Sequence, residues 1–394
     1  MTVVPSGWST IELGEALLEP LANGRSVPDR PGGFPVLRLT AVRDRRIDLE
    51  QCKAGAWSEN EARPYLVREG DLLIVRGNGS LHLVGRAGVV GAVTAPVAYP
   101  DTLIRVRADP ALIESRYMSL LWDSPAVRDQ IEASARTTAG IYKVNQSQLR
   151  CVKLPVPSLD EQRRIVDILE DHLSRLDAAD DYLDAASRRI GQLVHSEERT
   201  LIAASAAGRA SFDEVFRPVS DEGRRVAQSD YLAEGPVPVI DQGEGLVGGF
   251  TSVGHAFDGE LPVIVFGDHT RRAKYVDFRF AVGAQGVKLL RAMPGVLPRF
   301  AYYLVRGANL RSRGYGRHYA MLRASSFVLP PPERQAEVVA ELDSMVATTD
   351  ALEQHVSVLR RRNWALRRTL LAAAFSGRLT GRASDLDLAE ELVS

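Results

Sequence analysis

The chain has 394 residues, 45% hydrophobic and 25% charged, with a formal net charge of −1. These values are ordinary for globular proteins and exclude wholesale disorder; the length predicts two or three domains, each with its own core. The balanced charge speaks neither for nor against a nucleic-acid partner, and 44 arginines against five lysines reflect a codon bias as readily as a function. Cys52 and Cys151 are the only cysteines and have no CxxC spacing. A disulfide framework and a thiolate zinc site are therefore not expected, which suits a reducing cytoplasm. The N-terminal stretch MTVVPSGWSTIELGEALLEP has no basic segment followed by an apolar one, and no run reaches the roughly 18 apolar residues of a membrane span. The expectation is a soluble, cytoplasmic protein without membrane contact.

In chain order, the first region, up to about residue 153, reads as α/β. The runs PVLRLTAV, DLLIVRG and TLIRVRA are strand-like and bounded by Gly, Pro, Asp and Asn, and ESRYMSLLWDSPAVRDQIEA predicts a helix. At Leu154 the sequence becomes LPVPSLDEQRRIVDILEDHLSRLD. Ser158 and Glu161 form a capping-box pattern, Asp160 adds negative charge to the first turn, and Pro157 stands just outside it. Apolar residues then step by three and four: Ile165, Leu169, Leu173, Leu176, Ala179, Leu183, Ala186, Ile190 and Leu193. Gly208 is the expected C-terminal cap. A second α/β region, about 208 to 328, carries strands in VPVI, LPVIVFG and GVKLLR and a helix in PRFAYYLVRGANLRSR. A second long helix follows LPPPERQAEVVAELDSMVATTD, with Pro332 as its first residue. Its heptad seam runs Val338, Leu342, Met345, Thr349, Leu352, Val356, Leu359, Asn363, Leu366 and Leu370, and Gly377 is the expected cap.

The two helical stretches are copies. Pro157 and Pro330, Gln162 and Gln335, Val166 and Val339, Leu169 and Leu342, and Asp177 and Asp350 each lie 173 residues apart, whereas RTLIAASAAGR and RTLLAAAFSGR lie 169 apart. The second copy has lost four residues, about one helical turn, which leaves its apolar face nearly in phase. Each helix exceeds forty residues, roughly 60–70 Å at 1.5 Å per residue. Helices of that length are expected to pack, here on each other, with Thr349 and Asn363 as polar seam positions that fix register. A coiled coil with another protein is the alternative.

Enzymatic motifs are missing. There is no Gly-Lys dipeptide and hence no P-loop, no HExxH, and no Lys preceded two residues earlier by Asp or Glu. Gly243, Gly245 and Gly248 fit GxGxxG, but GFTSVGHAF follows where a dinucleotide site needs a helix, so a tight turn between strands is expected.

Basic, acid-free stretches occur at matching places in the two halves. Residues 301–323 hold Arg306, Arg311, Arg313, Arg317, His318 and Arg323 with four tyrosines, among them Tyr315 and Tyr319. The first half has Arg136, Thr137, Thr138, Tyr142, Lys143, Asn145 and Gln146. Earlier in each half come Arg76, Asn78, Ser80, His82 and Arg86, and then His269, Thr270, Arg271, Arg272 and Lys274. Arg forks suit phosphate and guanine, and Tyr and Asn supply further polar contacts. Solvated loops enriched by arginine bias are the alternative, and Asp268 is expected to cap its own turn. Along the helices, residues 154–206 carry eleven acids against six arginines. Arg360, Arg361, Arg362, Arg367 and Arg368 are expected to pair with these acids or to touch a DNA backbone.

LPVPSLDEQRRIVDILEDHLSRLD resembles the helix signature of the specificity (S) subunit of type I restriction–modification systems. WSTIELGEAL, FPVLRLTAV, REGDLLIVRGNG, VPVIDQGEGLVGGFTSV and VIVFGDHTRRAKYV strengthen the resemblance, which covers essentially the whole chain. It implies an α/β (α+β) protein: a target-recognition domain over 1–153, a spacer helix over 154–207, a second recognition domain over 208–328, a second spacer helix over 329–380 and a tail over 381–394. The two helices would lie antiparallel as an intramolecular coiled coil. The implied function is reading a bipartite double-stranded DNA target, one domain per half-site, while docking two methyltransferase (M) subunits, with restriction (R) subunits where the system has them. The family's S subunit is not catalytic and binds no cofactor or metal; S-adenosylmethionine, ATP and Mg²⁺ belong to its partners. Arg334, where the first copy has Glu161, departs from the pattern and would make the two docking ends unequal. Two other readings stand beside this one: a coiled-coil adaptor of a related defence complex without DNA readout, and an enzyme built on Asp268, His269 and Arg271.

Overall fold

The computed structural model describes residues 7–138, 140–221, 223–283, 286–311 and 316–379. The chain divides into two units, one made of Met1–Tyr182 with Val358–Ser394 and one of Leu183–Ser357. Each long helix passes from one unit into the other.

In the first unit six strands form a sheet in the order Leu17–Asn23, Leu103–Ala108, Leu72–Val75, Ala87–Val89, Arg46–Ile47, Val42–Arg43. Its pairs are antiparallel apart from Arg46 with Val89. Alternation along the central strands serves two cores. Leu72, Ile74, Ile104 and Val106 face the helix Ser115–Trp122, the start of the first long helix at Ile165 and Leu169, and the end of the second at Leu370 and Phe375. Leu73, Val75 and Leu103 face Leu37, Val67 and Tyr99. The one helix expected over 114–133 is two, Ser115–Trp122 and Pro125–Ser134, because Pro125 disfavours helical geometry at the residue before it. Ser9–Glu12 pairs with Lys153–Val156, so the chain closes the unit before entering the long helix.

The second unit repeats the plan. Phe216–Val219, Val287–Ala292, Val263–Gly267 and Ala273–Val276 form an antiparallel sheet in that order, and Arg209–Ala210 pairs with Phe327–Val328 ahead of the second long helix. Its core gathers Phe212, Phe216, Phe266, Phe300 and Tyr303 with Ile202, Val338 and Leu342 of the long helices. The strands are joined largely as antiparallel neighbours rather than through parallel crossovers. The fold is therefore mixed α and β, with strands paired mainly antiparallel, the α+β form of the expectation.

The long helices span Leu159–Ala204 and Pro332–Phe375. The Glu161 N–H donates to Ser158 Oγ at 3.4 Å, one half of the expected box, and Pro332 is the first helical residue. Gly377 ends the second helix with φ +73° and donates its N–H to Ala374 O at 3.1 Å. Gly208 has no such role. The first helix stops at Ala204, where Ser205 turns its Oγ onto Ile202 O at 2.7 Å.

The unbroken seam is also corrected. Val338, Leu342, Val356 and Leu370 are buried, but Leu352 is 47% exposed, Leu359 48% and Leu193 63%. A strict heptad stripe drifts round a 3.6-residue helix by about 20° per heptad, so it cannot stay inward along the whole length. Thr349 donates its Oγ1 to Met345 O of its own helix at 2.8 Å. Asn363 alone of the two polar seam residues reaches across, to Leu176 O at 2.9 Å. No described helix is long and apolar enough to cross a membrane.

Candidate nucleic-acid interface

In the first unit the two polar stretches, separated in sequence, come together in one small sheet. Arg136–Thr138 pairs with Ile141–Lys143, which pairs with Gly77–Asn78. The register sets Arg136 opposite Lys143, and Thr137, Tyr142 and Asn78 in one row. Arg136 and Lys143 are exposed. Like charges directly opposite on an antiparallel pair repel, so this arrangement is one that an anion would relieve.

The turn beside this sheet is held by side chains of the two helices Ser115–Trp122 and Pro125–Ser134. Arg128 Nη2 donates to His82 O at 3.2 Å and to Val84 O at 3.0 Å, and Trp122 Nε1 donates to Gly85 O at 2.9 Å. Gly85 has φ +68°, and a Cβ there would sit 2.4 Å from Ile131 Cγ2, so the turn can lie on its helix only with glycine at this point. Asn78 Oδ1 accepts the Ser80 N–H at 3.0 Å, an Asx turn that leaves the Asn78 amide N–H₂ as its free donor. His82 and Arg86 are exposed; Arg76, Asn78 and Ser80 are half-buried.

The second unit also joins its two stretches, through Asp268. Asp268 Oδ1 accepts the Tyr319 N–H at 2.7 Å, and Asp268 O accepts the His318 N–H at 2.9 Å. Asp268 thus caps the short helix Tyr319–Arg323, not its own turn. Arg271 sits at φ +63° and donates Nη1 to Leu310 O at 2.9 Å. Thr270, Arg271, Arg272, Arg311 and Arg317 are exposed, and His269 and Tyr319 are half-buried. Two candidates sit differently. His318 is 1% exposed, and Lys274 is 7% exposed with its Nζ 3.4 Å from Asp241 Oδ1; burial pushes the Lys274 amine below its ordinary range. Arg313 and Tyr315 lie outside the described residues. Gly243, Gly245 and Gly248 form the turn between Val237–Ile240 and Gly249–Thr251, and the Gly243 N–H donates to Asp241 Oδ1 at 2.8 Å.

Among the described residues no three His, Cys, Asp or Glu side chains gather as a metal site. Asp268 and Arg271 spend polar groups on Tyr319 and Leu310, which weakens the enzyme reading based on them. Sequence reading missed a buried network in the first unit: Arg107 donates Nε and Nη2 to the two oxygens of Asp71, each at 2.7 Å, and bridges to Glu19 at 2.7 Å. Only strand register, which sets Arg107 opposite Glu19, could have revealed it. The Asp71 hydrogen bonds raise the Arg107 guanidinium above its ordinary value.

Comparison with known proteins agrees with this architecture. Over 185 residues the chain is 30% identical to the type I restriction enzyme EcoKI specificity subunit of Escherichia coli, a match covering 46% of this chain and 40% of that protein. Over 192 residues it is 27% identical to the StySPI specificity subunit of Salmonella potsdam, covering 48% and 41%. The match thus spans about 40% of the length of these curated relatives. A chain from a solved structure of a type I restriction–modification system shares the fold, with a TM-score of 0.66 over 96% of this chain and 100% of that one at 18% identity. Residues 5–180 match the sequence model of the type I restriction modification DNA specificity domain.

Proposed function

We propose that this chain is the DNA-reading subunit of a type I restriction–modification complex, each unit reading one half of a bipartite duplex target. The observation that carries the reading is the like-charged cross-strand pair, Arg136 opposite Lys143, on an exposed sheet shared with Asn78 and Tyr142. Such a sheet is built against its own electrostatics unless phosphate supplies the counter-charge. The second unit supports the same use: Thr270, Arg271, Arg272, Arg311 and Arg317 stand exposed about the Asp268 junction, with His269 and Tyr319 beside them. Arg and Lys would position the backbone, and Asn78, Tyr142 and the Arg forks would meet base edges.

The long helices would act as a paired, antiparallel spacer. Helices of 46 and 44 residues reach roughly 65–70 Å at 1.5 Å per residue, enough to hold two readers one or two turns of B-DNA apart, at about 34 Å per turn. Exposed Tyr182, Leu193, Leu352 and Trp364 offer apolar anchors for two methyltransferase subunits. The chain itself would carry no catalysis; S-adenosylmethionine, ATP and Mg²⁺ would act on those subunits and on a restriction subunit.

The test is methylome sequencing of host cells with and without this chain. The expected result is one bipartite adenine-methylation motif that disappears with it. An unchanged methylome, with no specific DNA retained by the chain and its methyltransferase subunits, would leave the adaptor reading in its place.

A further inference from the structure

The first unit holds a second concentration of positive charge, lined by residues other than those proposed to read DNA. A cavity of about 550 Å³ is lined by Arg63, Arg68, Arg105 and Arg107 together with Glu19 and Thr94. Arg105 and Arg107 lie on one face of the strand Leu103–Ala108, because they are two residues apart. Glu19 on the neighbouring strand accepts from Arg68 at 3.2 Å, Arg105 at 2.8 Å and Arg107 at 2.7 Å. Asp71, 1% exposed, takes the two-point bond from Arg107 and also accepts the Arg68 N–H at 2.7 Å.

Four guanidiniums therefore face two carboxylates. The hydrogen bond from Arg107 holds the Glu19 carboxyl below the usual range, and by formal charge four guanidiniums outnumber two carboxylates by two. Among the described residues Arg63 has no ion pair, while Arg105 is 8% exposed and keeps its Nε buried without an acceptor. Arginine bias in the codons explains exposed, solvated arginines; it does not explain a buried one with an unmet donor, since buried charges are costly unless fully paired. A guanidinium offers a planar fork of donors whose geometry matches phosphate oxygens.

We infer that this cavity binds a phosphate-type oxyanion, held between Arg63, Arg68 and Arg105, with Glu19 and Asp71 fixing the orientation of Arg107 behind it. The anion could be a backbone phosphate of a nucleic acid or the phosphate of a small free compound; the chemistry of the site is the same for both.

The experiment is calorimetric titration of inorganic phosphate into the full chain at constant ionic strength, with chloride as the control anion. One saturable site is expected, weakened at least tenfold by Arg63→Ala and by Arg68→Ala, both exposed positions whose loss leaves the melting temperature unchanged. Arg43→Ala, an exposed arginine elsewhere, should leave the binding intact. Duplex DNA titrated into the same variants separates the two sources: weaker binding on every sequence marks a backbone phosphate, and unchanged DNA binding with lost phosphate binding marks a free compound. Absence of saturable phosphate binding in the unaltered chain, or binding undiminished in both cavity variants, overturns the inference. A chain that retains no DNA yet binds phosphate here leaves it standing, so its failure and that of DNA reading are separable.

Discussion

Gln162 and Gln335 make the same three hydrogen bonds in the two halves of the chain. Gln162 Oε1 accepts the Glu114 N–H at 2.9 Å, and its Nε2 donates to Leu112 O at 2.9 Å and Pro157 O at 3.0 Å. Gln335 Oε1 accepts the Leu297 N–H at 2.8 Å, and its Nε2 donates to Gly295 O at 3.1 Å and Pro330 O at 2.8 Å. Neither is more than 1% exposed. Each glutamine therefore locks the first turn of a long helix to the proline entering it and to the start of the domain's own helix. The prolines limit the backbone of the joint, and the glutamine closes it.

Replacing Gln162 by Leu should orphan one N–H and two carbonyls in a dry site. Each unsatisfied group costs about 1–3 kcal/mol, so the expected loss is about 3 kcal/mol or more in urea unfolding, with the same from Gln335→Leu. The bonds of the two glutamines share no partner, so the double variant should show nearly additive losses. A loss below about 1 kcal/mol would mean that water replaces the amide.

The repeat, the long helices, Pro332 at the helix start and Gly377 at its end were all legible in the sequence, because each rests on local chemistry. Gly208 misled because a glycine after a helix is only permissive, and Ser205 had already taken the last carbonyls. Leu352 and Leu359 misled because periodicity reports which residues share a stripe, not whether anything covers it. At the candidate interface, residue types were readable but not their pairing: that Asn78, Tyr142 and Arg136 share one sheet depends on a register that no single stretch encodes. Burial of Lys274 against Asp241 and of His318 beneath Asp268 was hidden for the same reason.

Arg136→Ala and Lys143→Ala should move stability and binding in opposite directions. Removing either charge relieves the cross-strand repulsion, so urea unfolding should show a gain of about 0.2–1 kcal/mol. Duplex affinity should fall, with the slope of log affinity against log salt shallower by about one phosphate contact. A variant that loses stability, or keeps the full salt slope, would show that these side chains serve the fold and not a phosphate.

Lys274→Met should behave in the contrary way. Its ammonium is buried against Asp241, so removing it strands a carboxylate and should cost about 1–3 kcal/mol while leaving the salt slope unchanged. The pH dependence gives a second readout. A lysine whose folded pKa is depressed favours the native state more as pH rises from that depressed value to the unfolded one near 10.4. The unaltered chain should therefore carry an alkaline rise in stability, measured by urea unfolding between pH 8 and pH 10, that Lys274→Met lacks. Equal slopes for the two proteins would place the Lys274 amine in water.

The spacer reading makes a geometric prediction. Asn363 reaches Leu176 O within the first unit, and Ser187 Oγ meets Glu353 Oε2 at 3.1 Å within the second. Both long helices thus pair inside each unit, and a change made in one helix alone would put these contacts out of register. Inserting four residues into both, one turn or about 6 Å, keeps the apolar faces nearly in phase. The added length is comparable to the rise of one or two base pairs, given about 34 Å for each 10. Methylome sequencing should then show the same two half-sites with a longer unspecified gap. Four residues added to the first helix alone should instead abolish methylation, since the Asn363 and Ser187 contacts cannot both be kept. Altered bases in either half-site would mean that the helices shape the reading surfaces and do not measure the distance between them.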